Sequence, residues 1–242
     1  MNTLKEIFIS ALPGALVALL TLCLTWLVGQ SLTFSWNLRQ KRKEFELSAL
    51  NQLYTLYGEF FSIWKLWNSF KKSNDLSNHS KTAIPKEVYW QLYERTLAME
   101  GGVESILVKL TAERTLSQSS IENLGKFRQA FQILRETIRD DQPLEWSASH
   151  HPEYLAFKQL NTYVASMLSS SKYYKRPYPK QAYNALKTIT ANKWEGCMVD
   201  LPSETIEKIR MSHSKGLDCW QIGKEVNLTG AYVRQLIRKY ES

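Results

Sequence analysis

Cysteine is nearly absent from this chain: Cys23, Cys197 and Cys219 are the only three in 242 residues, and none forms a CxxC pair. A disulfide framework and a cysteine-based zinc site therefore find no support. Histidine is as scarce, with His79 and His213 isolated and His150-His151 side by side before Pro152, where a solvated turn is expected and a metal site is not. The ten glycines make no phosphate-cradling loop, and neither GxSxG nor HExxH occurs. The chain reads as a non-enzyme with no cofactor and no metal.

Acid is missing from one long stretch. Tyr154 to Trp194 holds no Asp or Glu but carries Lys158, Lys172, Lys175, Arg176, Lys180, Lys187 and Lys193, interleaved with Tyr173, Tyr174, Tyr178 and Tyr183. Cations neutralise phosphates and aromatic rings stack on unpaired bases, so single-stranded nucleic acid is one reading. Anionic lipid is a second, and a solvated basic face over core tyrosines is a third. The overall charge of +8 favours anionic partners in each case.

What the chain has in abundance is an apolar run. Ile7 to Gly29 reads IFISALPGALVALLTLCLTWLVG without a charge. At about 1.5 Å per residue this is long enough to cross a hydrocarbon core of about 30 Å. A cleaved signal peptide fits poorly, since its apolar part is shorter, its start is basic, and Leu27-Val28-Gly29 is a weak cleavage site. A buried core helix is the remaining alternative. Arg39, Lys41, Arg42 and Lys43 follow the run while Lys5 is offset by Glu6, which predicts an N-terminus outside and the rest in the cytoplasm. Trp26, Phe34 and Trp36 suit the headgroup belt.

Beyond the span the period is helical almost throughout. Phe45, Leu50, Leu53, Leu56, Tyr57, Phe60, Phe61, Trp64 and Trp67 recur three or four apart, so one long stripe continues the span to about Lys72. Its aromatic weight also allows an interfacial helix or a second crossing. Against a crossing stand Glu44, Glu46, Glu59 and Lys65, each costing about 2.5 to 3.5 kcal/mol near a bilayer centre. Further helices are expected over Pro85 to Glu113 with a break at Gly101-Gly102, over Ile121 to Arg139 with Ser119 or Ser120 as cap, over Glu153 to Leu168, and over Lys180 to Trp194. No repeat and no convincing strand is found.

The C-terminus carries a recognisable pattern. Leu217 to Tyr240 reads LDCWQIGKEVNLTGAYVRQLIRKY. Its Ile222 and Gly223 match the apolar and small residues where the two helices of a helix-turn-helix touch, Val226 the close of the first, Asn227 the turn position that tolerates a left-handed backbone, and Leu228, Val233 and Leu236 the residues that pin the second. Over about the last 40 residues the chain resembles the bacterial helix-turn-helix families of resolvases, sigma-factor tail domains and small repressors. The resemblance implies a preceding helix over Ser203 to Ser212, and a second helix capped by Thr229. That helix would present Gly230, Ala231, Tyr232, Arg234, Gln235 and Arg238 outward to base edges, with Lys215, Lys224 and Lys239 on phosphates.

These segments predict an all-α protein: a short extracytoplasmic start (1–6), a transmembrane helix (7–29), a helical domain (30–140), a basic helical segment (141–200) and a helix-turn-helix (201–242). The layout resembles the small membrane effectors that accompany reverse transcriptases in retron antiviral systems. It implies toxicity at the bacterial inner membrane, with a small reverse-transcribed DNA or RNA and the polymerase as partners. The alternative is a membrane-bound transcription regulator reading duplex DNA. With only six residues expected outside, no external sensor is expected, which favours the effector. A scaffold tethering a cytosolic machine to the membrane is a third option, and self-association in the membrane stays open.

Overall fold

A computed structural model describes residues 2–76, 85–146, 150–169, 177–191 and 198–240 of the protein, with side chains from residue 16 onward, Gly14 aside, to residue 73 in the first stretch. Among these residues every regular element is an α-helix: α1 (Asn2–Leu76), α2 (Lys86–Glu113), α3 (Gln118–Arg139), α4 (Pro152–Ser169), α5 (Pro179–Ile189), α6 (Ser203–Ser214), α7 (Cys219–Val226) and α8 (Gly230–Tyr240). The all-α expectation holds. The chain divides into two compact units, residues 1–48 and residues 49–242. The helical domain expected over 30–140 is divided between the two units, and its residues 49–140 share the second with the segments expected at 141–200 and 201–242.

In the first unit α1 is long and apolar enough to cross a membrane, by length and composition. Leu16, Leu19, Leu20, Leu22, Leu24 and Leu27 are all more than half exposed, as are Trp26, Phe34 and Trp36. Arg39, Lys41, Arg42 and Lys43 are exposed as well. From Leu16 to Leu38 every large apolar side chain is exposed, so this part of the helix packs against no core among the described residues.

The second unit turns the same helix into a core element. Ala49, Leu53, Leu56, Phe60, Ile63, Trp64 and Trp67 are buried, stepping three or four residues at a time along one face. Phe60 lies at the centre, with Phe157 of α4 at 4.3 Å, Trp146 at 5.5 Å and Phe131 of α3 at 5.6 Å between ring centroids. The aromatic stripe read from the sequence is therefore packed core and not a second crossing.

Polar atoms fix the register. The α3–α4 loop is held by α1: Trp64 Nε1 donates to the Leu144 carbonyl (2.9 Å), Trp67 Nε1 to the Gln142 carbonyl (2.7 Å), and the Asn68 amide both donates to the Leu144 carbonyl (2.8 Å) and accepts from the Leu144 N–H (3.0 Å). Glu59 pairs with Arg95 of α2 at 2.7 Å, and Glu100 of α2 with Arg135 of α3 at 2.7 Å.

Four local expectations are corrected. α2 runs unbroken through Gly101-Gly102. Gly102 serves packing: a Cβ there would stand 2.6 Å from Leu56 Cδ2, so α1 and α2 approach closely, whereas a Cβ on Gly101 would meet nothing within 4 Å. The cap of α3 is Ser117, whose hydroxyl accepts from the Ser120 N–H, and not Ser119 or Ser120. His151 is buried while His150 is exposed, so the pair is not a solvated turn; burial lowers the His151 pKa and keeps the ring neutral. The helix expected to reach Trp194 ends at Ile189, with residues 192–197 outside the described set.

Candidate nucleic-acid interface

The last three helices are built by short-range chemistry that the sequence spells out. Asp218 caps α7, accepting from the N–H groups of Trp220 (2.8 Å) and Gln221 (2.9 Å), while the Gln221 side chain accepts from the Asp218 N–H (3.0 Å), a reciprocal capping box. Asn227 ends α7 at φ 55° and ψ 46°, the left-handed conformation that Asn reaches at low cost. A Cβ at Gly223 would stand 2.5 Å from the Leu228 carbonyl oxygen, so this position needs glycine for the turn to close.

The placement of α8 corrects the expected outward face. Gly230, Ala231 and Tyr232 are buried: Gly230 lies against the Trp220 ring, and the Tyr232 hydroxyl accepts from the Val199 N–H at 2.9 Å. Thr229 is buried too, and gives its N–H (2.7 Å) and its hydroxyl (2.8 Å) to Glu153 at the start of α4. Arg234 is half-buried, bound to Asp140 and 3.6 Å from Glu136 Oε2. Arg238 is exposed, 3.9 Å from Glu136 Oε1. Gln235 is half-buried, and neither atom of its amide has a hydrogen-bond partner. A helix with apolar groups on one side and cations on the other has been turned so that both sides meet the helical body. Amphipathicity places the first side but says nothing of what covers the second.

Of the expected phosphate contacts, Lys215 and Lys224 are exposed, and Lys239 is half-buried with Nζ 4.9 Å from the Tyr240 ring centroid. Lys172, Lys175 and Arg176 lie outside the described residues, with Tyr173, Tyr174 and Lys193. The described part of the acid-free stretch presents Tyr178, Lys180, Tyr183 and Lys187 to solvent along α5, whereas Lys158 Nζ sits 4.3 Å over the Tyr154 ring.

The residues that sequence reasoning missed are the acids. Glu136, Asp140 and Glu153 meet α8 only through the tertiary fold; Glu153 lies 76 positions before Thr229. Burial pushes the Glu153 carboxyl up to about 7 against the pull of three donors: the Thr229 N–H, the Thr229 hydroxyl and Trp146 Nε1 at 3.1 Å. Beside this contact lies a cavity of about 600 Å³ lined by Lys71, Glu145, His151, Trp220, Lys224 and Asn227 among others. Compared with protein-family models, with characterised proteins and with solved structures, the chain finds no match in any of the three.

Proposed function

We propose that this chain is a membrane-anchored, non-enzymatic effector with a cytoplasmic nucleic-acid-binding helix-turn-helix, working in a retron-like, abortive-infection type of antiviral defence at the bacterial inner membrane. The observation that carries the reading is the contrast along α1. Its residues from Leu16 to Trp36 leave large apolar side chains uncovered, while Phe60 to Trp67 are core. A lipid surrounding removes the first set from water, at about 25 cal/mol per Å² of apolar area. The basic flank Arg39 to Lys43 favours an N-terminus outside and residues 49–242 in the cytoplasm. The left-handed Asn227, the glycine-dependent turn and the cations of α8 support nucleic acid as the cytoplasmic partner. A small reverse-transcribed DNA or RNA and its polymerase are the partners this layout suits.

Overproduction of the intact chain, followed with a membrane-potential dye, tests the effector. Depolarisation and growth arrest are expected, both lost in Leu19→Arg, which places a charge at the middle of the span. Normal growth with the intact chain in the membrane would overturn the effector reading. Selective binding of one genomic duplex by such a harmless chain would instead make it a membrane-bound regulator.

A further inference from the structure

We propose that the C-terminal end of α3, with Glu153 of α4, forms an intramolecular clasp that occupies the reading side of α8, so that nucleic acid and the clasp compete for the same side chains. The inference rests on the nucleic-acid reading of α8 given above.

The clasp uses the chemistry a nucleic acid would use. Asp140 and Glu136 offer carboxylate oxygens to Arg234 and Arg238, as phosphate oxygens would. Glu153 takes the N–H and hydroxyl of Thr229 just ahead of α8, where the first N–H groups of a helix attract an anion. While this contact holds, Thr229 and Arg234 are occupied and Arg238 stays exposed.

The contact is also imperfect, and the imperfection lies on the clasp side. Both amide atoms of Gln235 are buried without a hydrogen-bond partner, and Arg234 Nη1 meets Glu136 Oε2 only at 3.6 Å. A buried amide without partners is less stable than the same amide in water. Arg139, on α3 itself, shares the two acids, with Nε 3.2 Å from Asp140 and Nη2 4.0 Å from Glu136, so Arg234 and Arg238 do not hold them alone. Undocking returns the Gln235 amide to solvent, which offsets part of the loss of the Arg234–Asp140 pair and lets a ligand for α8 shift the balance.

Cys219 reports the opening. It is half-buried at the start of α7, next to Arg234 and Asp140. With Cys23→Ser and Cys197→Ser it becomes the chain's single thiol, in full-length protein held in detergent. Adding a random-sequence 30-mer duplex to this otherwise unaltered chain is expected to speed maleimide labelling of Cys219. Glu136→Gln with Asp140→Asn is expected to speed labelling without duplex and to raise duplex affinity about tenfold. Duplex binding with labelling unchanged, by ligand and by variant alike, overturns the clasp. Faster labelling in the variant with no duplex bound by either chain instead overturns the nucleic-acid reading beneath it. Because the first measurement needs no change in the clasp, a misfolded double variant leaves the test intact.

Discussion

Thr229 gives both of its local donors, the backbone N–H and the side-chain hydroxyl, to the single buried carboxylate of Glu153, and Trp146 gives that carboxylate a third. One acid thereby ties the turn before α8 to the start of α4 and to the α3–α4 loop. The arrangement suits an anion, yet burial raises the carboxyl to about 7.

That tension makes stability depend on pH. Between the ordinary glutamate value of 4.5 and about 7, the folded chain holds a proton on Glu153 that the unfolded chain has released. Stability is therefore greatest below the lower value and falls as pH rises through the window. Glu100, buried beside Arg135 and also raised to about 7, acts in the same direction. The melting temperature should drop from pH 5 to pH 7.5, and Glu153→Gln should flatten part of that slope. An unchanged slope in the variant would show Glu153 already ionised at neutral pH.

Two glycine substitutions should move stability in opposite directions. Gly58 is exposed in α1 and a Cβ there meets nothing within 4 Å, so Gly58→Ala should stabilise by about 0.5–1 kcal/mol through the unfolded chain. Gly223→Ala places its methyl 2.5 Å from a backbone oxygen and should cost about 1–3 kcal/mol. Hydrogen exchange locates the second loss: protection should fall first in α7 and α8, and uniform loss across α1–α4 would contradict a local clash.

Asn68→Ala should loosen the α3–α4 loop. The alanine removes a donor and an acceptor that Leu144 uses, leaving the buried Leu144 N–H without the Asn68 oxygen, at about 1–3 kcal/mol. Since Trp146 follows two residues later and stacks on Phe60, its fluorescence should shift to the red before global unfolding. A tryptophan spectrum that changes only with the main transition would place the loop's support elsewhere.

Much of the fold could be read from local pattern. The apolar run, the stripe through Phe60 and Trp67, the helix over 152–169 and the left-handed Asn227 all follow from spacing and from what one residue's backbone tolerates. Glycine's low helix propensity does not end α2 at Gly101-Gly102, because α1 comes close to Gly102 there, a contact between segments far apart in the chain.

The sequence by itself determined the helical period, the uncharged run and the capping box at Asp218, because each depends on residues within a turn or two of one another. What covers α8 was decided by tertiary structure alone. Arg234 and Thr229 carry the same donors whether they face a duplex or a carboxylate, and only the packing of α3 and α4 brings Glu136, Asp140 and Glu153 to them. A periodic sequence states which side chains share a face of a helix; the partner of that face is chosen by contacts made across the whole chain.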